Sequence, residues 1–226
     1  MEFNLSYLIL DKGKSKWVLF LHGWGSSKEL MKNCFENTFD DYNHLYVDLP
    51  GFGNSSNDYV LSSTNYASII KVFLDSLKIS PKAIVGHSFG GKISTILNPE
   101  ILVLLSSSGI LSKKRLSVKL KIKLAKLFKI FGFKNAIFRT KDALNLSENM
   151  YESLKIIVNE DFTSNFANFK NRAFIFWGSE DYITPIESGK KIHSLIKDSN
   201  FHPISGDHFL FLNHSKDIDR IVNGAN

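Results

Sequence analysis

Ser88 is the residue whose neighbours are most typical of a reactive nucleophile. It lies in the run AIVGHSFGGKI at 83–93, where Gly86-x-Ser88-x-Gly90 follows an apolar stretch and precedes a helical pattern. This spacing is typical of a nucleophile elbow, a sharp strand-to-helix turn that lifts a serine hydroxyl above a sheet. Glycine is needed on both sides because a larger side chain would collide with nearby backbone. A plain glycine-rich loop is the alternative, but the flanking strand and helix favour the elbow.

A serine nucleophile needs a base, and the chain order Ser, Asp, His places that base near the C-terminus. His208 follows SGD in a loop directly after the last predicted strand, where its ring could hang over the serine. His193 is predicted in the middle of a helix, His202 within the weak last strand, and His214 at the start of the final helix. We therefore predict that His208 is the base and that the other three are exposed surface histidines.

The acid is expected in the loop after a late strand. The run FIFWGSEDYITP offers Glu180 and Asp181 just past the end of such a strand. We predict Asp181, with Glu180 kept as a second candidate and an ordinary surface carboxylate as the alternative for either residue. In this arrangement Asp181 orients the imidazole of His208, which takes the Ser88 proton and returns it to the leaving group.

Acyl transfer also requires donors for the developing oxyanion. The run LHGWG at 21–25 ends a buried strand with a turn, so the backbone N–H of Trp24 is predicted to face the serine, together with that of Phe89. Each such donor is worth roughly 3 kcal/mol in acyl-transfer enzymes. His22 is predicted to bond nearby backbone and to shape the loop. No cofactor or metal is expected for this chemistry.

The elements that must position these residues alternate between apolar runs and helical patterns. Such alternation predicts an α/β fold with a mostly parallel central sheet flanked by helices, and active-site loops at the carboxyl ends of the strands. Helices are predicted at 64–78 and 186–198. The predicted strands are 3–10, 16–23, 44–51, 82–88, 100–109, 172–181 and 200–205.

One long segment interrupts the alternation. Residues 111–169 contain no convincing strand, and 115–131 carries leucines at helical spacing, although its VKLKIKL portion also alternates like a strand. We predict a helical lid at 111–169, inserted into a core formed by 1–110 and 170–226. Between Lys113 and Lys141 there are eleven Lys or Arg and no Asp or Glu. This block could bind an acidic partner, although a solvated face of an amphipathic helix is at least as good an explanation.

Composition limits the class of protein. The 226 residues are 43% hydrophobic, which is enough for one folded domain and argues against global disorder. No apolar run is long enough to span a membrane, and the N-terminus lacks a signal-peptide pattern. Cys34 is the only cysteine, which excludes an internal disulfide and a cysteine-based zinc cluster. We expect a cytoplasmic protein.

Five motifs in series resemble the α/β-hydrolase family: HGWG, VDLPGFGNS, GHSFGG, GSEDYITP and SGDHF. The resemblance spans nearly the whole chain outside the insertion. It implies an eight-stranded mixed sheet with a helical cap between the sixth and seventh strands. Two departures are small: Asp207 separates Gly206 from His208, where many members have glycine directly before the histidine, and the chain is short.

Within that family the sequence is similar to the carboxylesterases that cleave pimeloyl-acyl-carrier-protein methyl ester and to the C–C bond hydrolases of meta-cleavage products. The resemblance implies a serine esterase acting on an acyl-chain or small-molecule ester. An acidic carrier protein would suit the basic block. Haloalkane dehalogenases and epoxide hydrolases fit poorly, because their nucleophile would be an aspartate where this chain has Ser88.

Other functions stay open at this point. A thioesterase or a C–C hydrolase would use the same residues. A binding module with a vestigial pocket is the non-enzymatic alternative, and the apparently complete triad argues against it. The basic block could also lie on a membrane surface, which fits leucine-interleaved lysines better than nucleic-acid readout does, but we rank this last as a primary function.

Overall fold

The fold is a single sheet covered by helices on both faces. A computed structural model describes residues 3–111 and 146–224, and within these ranges it contains seven strands and seven helices. The strands are β1 (Tyr7–Leu10), β2 (Lys16–Leu21), β3 (Tyr42–Val47), β4 (Ala83–His87), β5 (Ile101–Leu105), β6 (Arg172–Gly178) and β7 (Ser199–Ile204). The helices are α1 (Lys28–Phe35), α2 (Ser63–Leu77), α3 (Phe89–Leu97), α4 (Glu148–Asn159), α5 (Thr163–Asn168), α6 (Ile186–Leu195) and α7 (Phe211–Gly224).

The strand order puts β2 and β4 side by side. The sheet runs β1-β3-β2-β4-β5-β6-β7, with β1 antiparallel to β3 and all other neighbours parallel. The chain proceeds in one direction from β2 to β3 and then crosses back to β4, so the strand order reverses between β2 and β4. Loops that follow strands on either side of such a reversal diverge and leave a crevice for a ligand. The loop after β2 and the turn after β4 therefore border one crevice.

The central strands are apolar on both faces because helices cover both. In β2, Val18 and Phe20 belong to one buried cluster, whereas Leu19 and Leu21 belong to another. Successive side chains of a strand point to opposite faces, so a strand buried on both sides has no polar positions to alternate. The apolar run that predicted a buried central strand has this origin.

Within the described ranges, three clusters of buried side chains form the core. One lies between the sheet and helices α2, α3 and α4, and a second lies between the sheet and helices α1 and α7. The third packs α5 and α6 against β5 and β6. Different sets of helices thus cover the two faces of the sheet. The turn at Ser88 leads into α3, which covers the same face as α2 and α4.

The structure confirms the predicted α/β class with a mostly parallel sheet. Helix α2 begins one residue before its predicted start, at a capping box in which Ser62 and Asn65 satisfy each other's backbone N–H groups. The first strand is shorter than predicted, because the N–H of Ser6 bonds the hydroxyl of Ser55 instead of a neighbouring strand. The resemblance implied an eight-stranded sheet with a cap between the sixth and seventh strands. The described residues form seven strands, and the segment predicted as a lid follows the fifth.

The predicted insertion lies between β5 and β6. Its described part, 146–169, forms α4 and α5, whose apolar side chains belong to the core clusters. The helix predicted at 115–131 and the basic block from Lys113 to Lys141 lie outside the described residues. The lid therefore stays a prediction, and what the structure describes of the segment is docked on the core.

None of the helices in the described ranges has the length and apolar character needed to cross a membrane.

Candidate active site

Ser88 occupies a strained turn between β4 and α3. Its φ of 50° and ψ of −108° put a non-glycine residue in a sparsely populated backbone region, a conformation that costs free energy and that surrounding contacts must hold. The N–H of Ser88 donates to the carbonyl of Leu105 at 3.0 Å, and the N–H of Ser108 donates to the carbonyl of Ser88 at 3.1 Å. The turn is therefore fixed from the neighbouring strand β5.

The two motif glycines are required by close contacts. A Cβ atom on Gly86 would lie 2.4 Å from the Ser94 hydroxyl oxygen and 2.7 Å from the carbonyl oxygen of Gly90. A Cβ atom on Gly90 would lie 2.4 Å from the carbonyl oxygen of Leu21, at the end of β2. The elbow thus packs so tightly on β2 that no side chain fits, which agrees with the predicted reason for the motif.

Asp181 and His208 form a buried hydrogen-bonded pair. His208 Nδ1 lies 2.8 Å from Asp181 Oδ2, and both side chains are excluded from solvent. An ionised carboxylate only accepts, so this contact assigns the ring proton to Nδ1. His208 Nε2 is then the basic nitrogen, and it is buried without a hydrogen-bond partner among the described residues.

The carboxyl of Asp181 is held in its ionised form. Burial by itself would raise its pKa, but the hydrogen bonds from His208 and Thr184 outweigh burial and lower the pKa below the ordinary value. Glu180, the second candidate, has an exposed side chain, and its backbone N–H donates to the carbonyl of Gly206. The structure therefore brings Asp181, and not Glu180, to His208.

His87 connects the His208 loop to β4. Its Nε2 lies 3.0 Å from the backbone carbonyl oxygen of His208, and because a carbonyl only accepts, Nε2 carries the proton. The two imidazole rings are 4.8 Å apart. Burial lowers the pKa of His87 well below its ordinary value, so this ring is neutral and cannot serve as a general base through its donating nitrogen. Since His87 directly precedes Ser88, this bond ties the loop of the predicted base to the strand that ends at the Ser88 turn.

The predicted oxyanion residues face the same cavity as Ser88. Trp24 and Phe89 both line it, and their rings are in edge-to-face contact at 5.5 Å. Phe89 is the first residue of α3, so its N–H has no partner inside the helix. In the described ranges no hydrogen bond from the backbone N–H of Trp24 or of Phe89 is found. Both amides stay candidates for the oxyanion site.

His22 has the structural role predicted for it. It is fully buried, its Nδ1 donates to the carbonyl of Gly23 at 2.8 Å, and its Nε2 accepts from the N–H of Leu49 at 3.0 Å. Burial lowers its pKa, so the ring is neutral. His22 thus ties the loop after β2 to the loop after β3 and presents no free nitrogen.

The three histidines that were rejected as the base do not line the cavity. His193 on α6 contacts the Ser199 hydroxyl, and His214 on α7 contacts Asp217. His202 lies in β7, as predicted, but its ring is partly buried and stacks on Phe176. The prediction of an exposed histidine was therefore wrong for His202, because its strand position turns the ring onto β6, and for His214, which is half-buried beside Asp217.

The lining of the cavity beside Ser88 is mainly apolar and comes in part from the segment predicted as an insertion. The α4 side chains of Leu154, Ile157 and Val158 line it together with Ile183 and Ile110. Apolar lining of this kind suits an acyl or aryl group, because such a group gains from leaving water.

A buried ion pair in the same wall was missed by sequence reasoning. Lys92 is 1% exposed, and its Nζ bonds Glu160 Oε2 at 2.9 Å and the carbonyl of Ile157 at 2.7 Å. Glu160 also accepts from the N–H and the hydroxyl of Ser63, at the start of α2. The signal was a single charged residue in FGGKISTIL, a helix otherwise too apolar to face water.

Comparison with known proteins agrees with this architecture. A family model for the alpha/beta hydrolase fold matches residues 16–98. An uncharacterized hydrolase of Bacillus subtilis is 27% identical over 230 residues, covering 87% of this chain and 84% of the relative. An esterase from Exiguobacterium antarcticum has a TM-score of 0.78 at 19% identity, with 99% of this chain and 95% of that chain covered. A meta-cleavage product hydrolase from Pseudomonas fluorescens has a TM-score of 0.76 at 19% identity, covering 99% and 96%.

At 19% identity the two solved structures show a shared fold and nothing finer. The sheet order, the strained serine turn after β4 and the acid–histidine pair on the loops after β6 and β7 are the features that define an α/β-hydrolase. Together with the family match over residues 16–98, they show that this chain has the α/β-hydrolase fold.

Proposed function

We propose that the protein is a serine hydrolase that cleaves a carboxylic ester through an acyl-enzyme. The observation that carries the proposal is the buried Asp181–His208 pair, whose Nε2 has no hydrogen-bond partner among the described residues. The backbone carbonyl of His208 is bonded by His87, the residue that directly precedes Ser88. An imidazole whose Nδ1 proton is bound to a carboxylate can accept a proton only at Nε2, as a general base for serine must.

Acylation begins when Ser88 Oγ attacks the ester carbonyl carbon and its proton passes to His208 Nε2. The tetrahedral oxyanion receives hydrogen bonds from the backbone N–H groups of Trp24 and Phe89. When it collapses, the bond to the alkoxy oxygen breaks, and the imidazolium gives its proton to the departing alcohol. The acyl group is left on Ser88.

Deacylation repeats these steps with water. His208 Nε2 takes a proton from a water molecule as its oxygen attacks the acyl carbon, and the second oxyanion uses the same two amides. Collapse releases the carboxylic acid and returns the proton to Ser88 Oγ. Asp181 stays ionised throughout and stabilises the imidazolium in both halves of the reaction.

The cavity lining supports an apolar acyl group as the part of the substrate that Ser88 retains. The walls next to Ser88 are built from aliphatic side chains of α4 and of the loops after β5 and β6. A methyl ester of a carrier-linked acyl chain fits this lining, and the basic block would attract an acidic carrier protein. The cytoplasmic location predicted from the sequence agrees with such a substrate and stays a prediction.

Hydrolysis of p-nitrophenyl esters of increasing acyl length tests the proposal. We expect the wild type to hydrolyse at least one of them and Ser88→Ala to lose activity by about a thousandfold or more, because only the oxyanion site and binding remain. The exposed Ser179→Ala variant is a matched control at a neighbouring loop and should behave as wild type. Equal rates in wild type and Ser88→Ala would refute the proposal.

A thioesterase or a C–C bond hydrolase would use the same three residues. Comparing kcat/KM for an oxygen ester, a thioester and a meta-cleavage product with matched acyl groups separates these activities. We expect the oxygen ester to be preferred. If Ser88 fails to react with a fluorophosphonate probe, the chain is instead a binding module with a vestigial pocket.

A further inference from the structure

We propose that Thr184 is a positioning residue that fixes the Asp181–His208 pair through its hydroxyl group, an inference that rests on the proposed function. Thr184 Oγ1 lies 2.7 Å from Asp181 Oδ2 and 3.2 Å from His208 Nδ1. The acid oxygen, the base nitrogen and the threonine hydroxyl thus form a closed triangle of contacts.

The protons of this triangle can be assigned from the chemistry of its members. The threonine hydroxyl has one proton, and the nearest acceptor is the carboxylate oxygen Oδ2 of Asp181. With that proton directed at Oδ2, the lone pairs of Oγ1 remain for the Nδ1–H of His208. The His208 proton therefore lies between two oxygens, with the carboxylate as the nearer acceptor at 2.8 Å.

The backbone of Thr184 is also anchored, by Asp181 on one side and by Trp177 on the other. Its backbone N–H donates to Asp181 Oδ1 at 2.9 Å, and the N–H of Ile183 donates to the same oxygen at 2.8 Å. Its carbonyl accepts from the indole N–H of Trp177, a completely buried residue of β6, at 2.8 Å. The hydroxyl is thus presented by a backbone that cannot easily rotate away.

Thr184 also reaches the end of β5, the strand next to the nucleophile turn. Its Oγ1 is 3.2 Å from the carbonyl oxygen of Ser106, at the end of β5, and Ser108 in the same loop bonds the carbonyl of Ser88. Thr184 and Ser88 line the same cavity. One side chain therefore touches the acid, the base and the loop that supports the serine turn.

The hydroxyl has two predicted effects on reactivity. By sharing Oδ2 it withdraws part of the negative charge that the carboxylate would otherwise direct at the imidazole. By accepting weakly from Nδ1–H it restricts the tilt of the ring, which sets the direction of Nε2 toward Ser88. A proton-transfer step is sensitive to such geometry because donor and acceptor must be within hydrogen-bond reach and aligned.

The test is the rate at which a fluorophosphonate labels Ser88, measured against pH in wild type, Thr184→Val, Thr184→Ser and Ser88→Ala. Valine keeps the branched shape and removes the hydroxyl, whereas serine keeps the hydroxyl. We expect Thr184→Val to react about tenfold more slowly, the loss of one hydrogen bond to a charged group. Thr184→Ser should recover most of the rate.

The pH profile separates positioning from simple support of the fold. Without the hydroxyl, Asp181 directs more negative charge at the imidazole, and the charged groups facing His208 are otherwise unchanged, since His87 is neutral. Losing the acceptor contact of Oγ1 with Nδ1–H works in the opposite direction, but at 3.2 Å it is weaker than the 2.7 Å bond to Asp181 Oδ2. The acidic limb of the labelling profile should therefore move to higher pH in Thr184→Val. A purely structural role would lower the melting temperature and leave that limb in place.

Two results would overturn the inference, and both differ from a failure of the proposed function. Labelling of Ser88 in Thr184→Val at the wild-type rate and with the wild-type pH midpoint would refute it. If the wild type reacts no faster than Ser88→Ala, the proposed function fails. The contact of Thr184 with the pair is then tested by NMR, from the downfield proton resonance of His208 Nδ1–H. An identical resonance in wild type and Thr184→Val would then refute it. Thr184→Ala serves as the hydroxyl-free variant if the valine protein does not fold.

Discussion

At the scale of single residues, some groups on which the chemistry depends can be predicted from the sequence and others cannot. Ser88, Asp181 and His208 could be proposed because each follows an apolar run and their order along the chain is characteristic. The contacts of Thr184 and His87 with His208 could not, because they depend on how the loops after β4, β6 and β7 meet. No local sequence pattern specifies how these three loops pack together.

Asp181→Asn is expected to reduce kcat by about a hundredfold to ten-thousandfold with little change in KM. An amide in place of the carboxylate cannot hold the Nδ1–H tautomer reliably and cannot stabilise the imidazolium. Ester hydrolysis under saturating substrate measures the effect. Glu180→Gln, one residue away and exposed, is the matched control and should retain wild-type kcat. Comparable losses in the two variants would contradict the assignment of Asp181.

Gly90→Ala is expected to destabilise the protein by about 1–3 kcal/mol, because its Cβ would sit 2.4 Å from a carbonyl oxygen of β2 and force the elbow outward. Chemical denaturation measures the change in the free energy of unfolding. Gly224→Ala near the end of α7 meets no atom within 4 Å and is the control. An unchanged stability for Gly90→Ala would mean that the turn is looser than described.

At the scale of elements, apolar runs predicted the strands well. Parallel strands that are buried on both faces have no polar positions to interrupt the run. The insertion could not be predicted to the same depth. Its helix α4 is held by Lys92 and Ser63, which bond Glu160 from positions 68 and 97 residues away in the sequence. Such pairs become visible only when the elements are packed.

Glu160→Gln is expected to lower the free energy of unfolding by about 2–4 kcal/mol, because it leaves the Lys92 ammonium buried beside a neutral amide. Urea denaturation followed by tryptophan fluorescence measures this change. The Glu152–Lys155 pair on α4 is exposed, so Glu152→Gln is the matched control and should change stability little. Equal effects of the two substitutions would contradict the role of the buried pair as the anchor of α4.

The same pair predicts how stability depends on pH. Burial raises the pKa of Glu160, but the Ser63 hydrogen bonds and Lys92 outweigh it, so the pKa lies below its ordinary value of 4.5. A lowered carboxyl pKa adds stability that is complete above the unfolded-state value and is lost as the pH falls below it. Stability of the wild type should therefore decline below about pH 5, and Glu160→Gln should decline less steeply over that range. Parallel curves for the two proteins would contradict this contribution.

At the scale of the whole molecule, charge is distributed unevenly along the chain. The net charge is +6, and the segment from Lys113 to Lys141 alone contributes eleven basic residues. The remainder is therefore slightly acidic, and a macromolecular partner of negative charge would be attracted to one part of the chain only.

If an acidic carrier protein delivers the ester, its KM should rise several-fold as salt is increased from about 0.05 M to about 0.5 M, because screening weakens attraction between opposite charges. The free ester with the same acyl group is the control, and its KM should stay constant. Equal salt dependence for both substrates would remove the carrier protein from the proposal and leave a small-molecule ester.

The central claim is that Ser88 forms the acyl-enzyme, and mass spectrometry of the protein acid-quenched during turnover of a p-nitrophenyl ester tests it most directly. We expect a mass increase equal to one acyl group, located on the peptide that contains Ser88 and missing in Ser88→Ala. An acyl group on any other residue, or turnover by Ser88→Ala at the wild-type rate, would contradict the account.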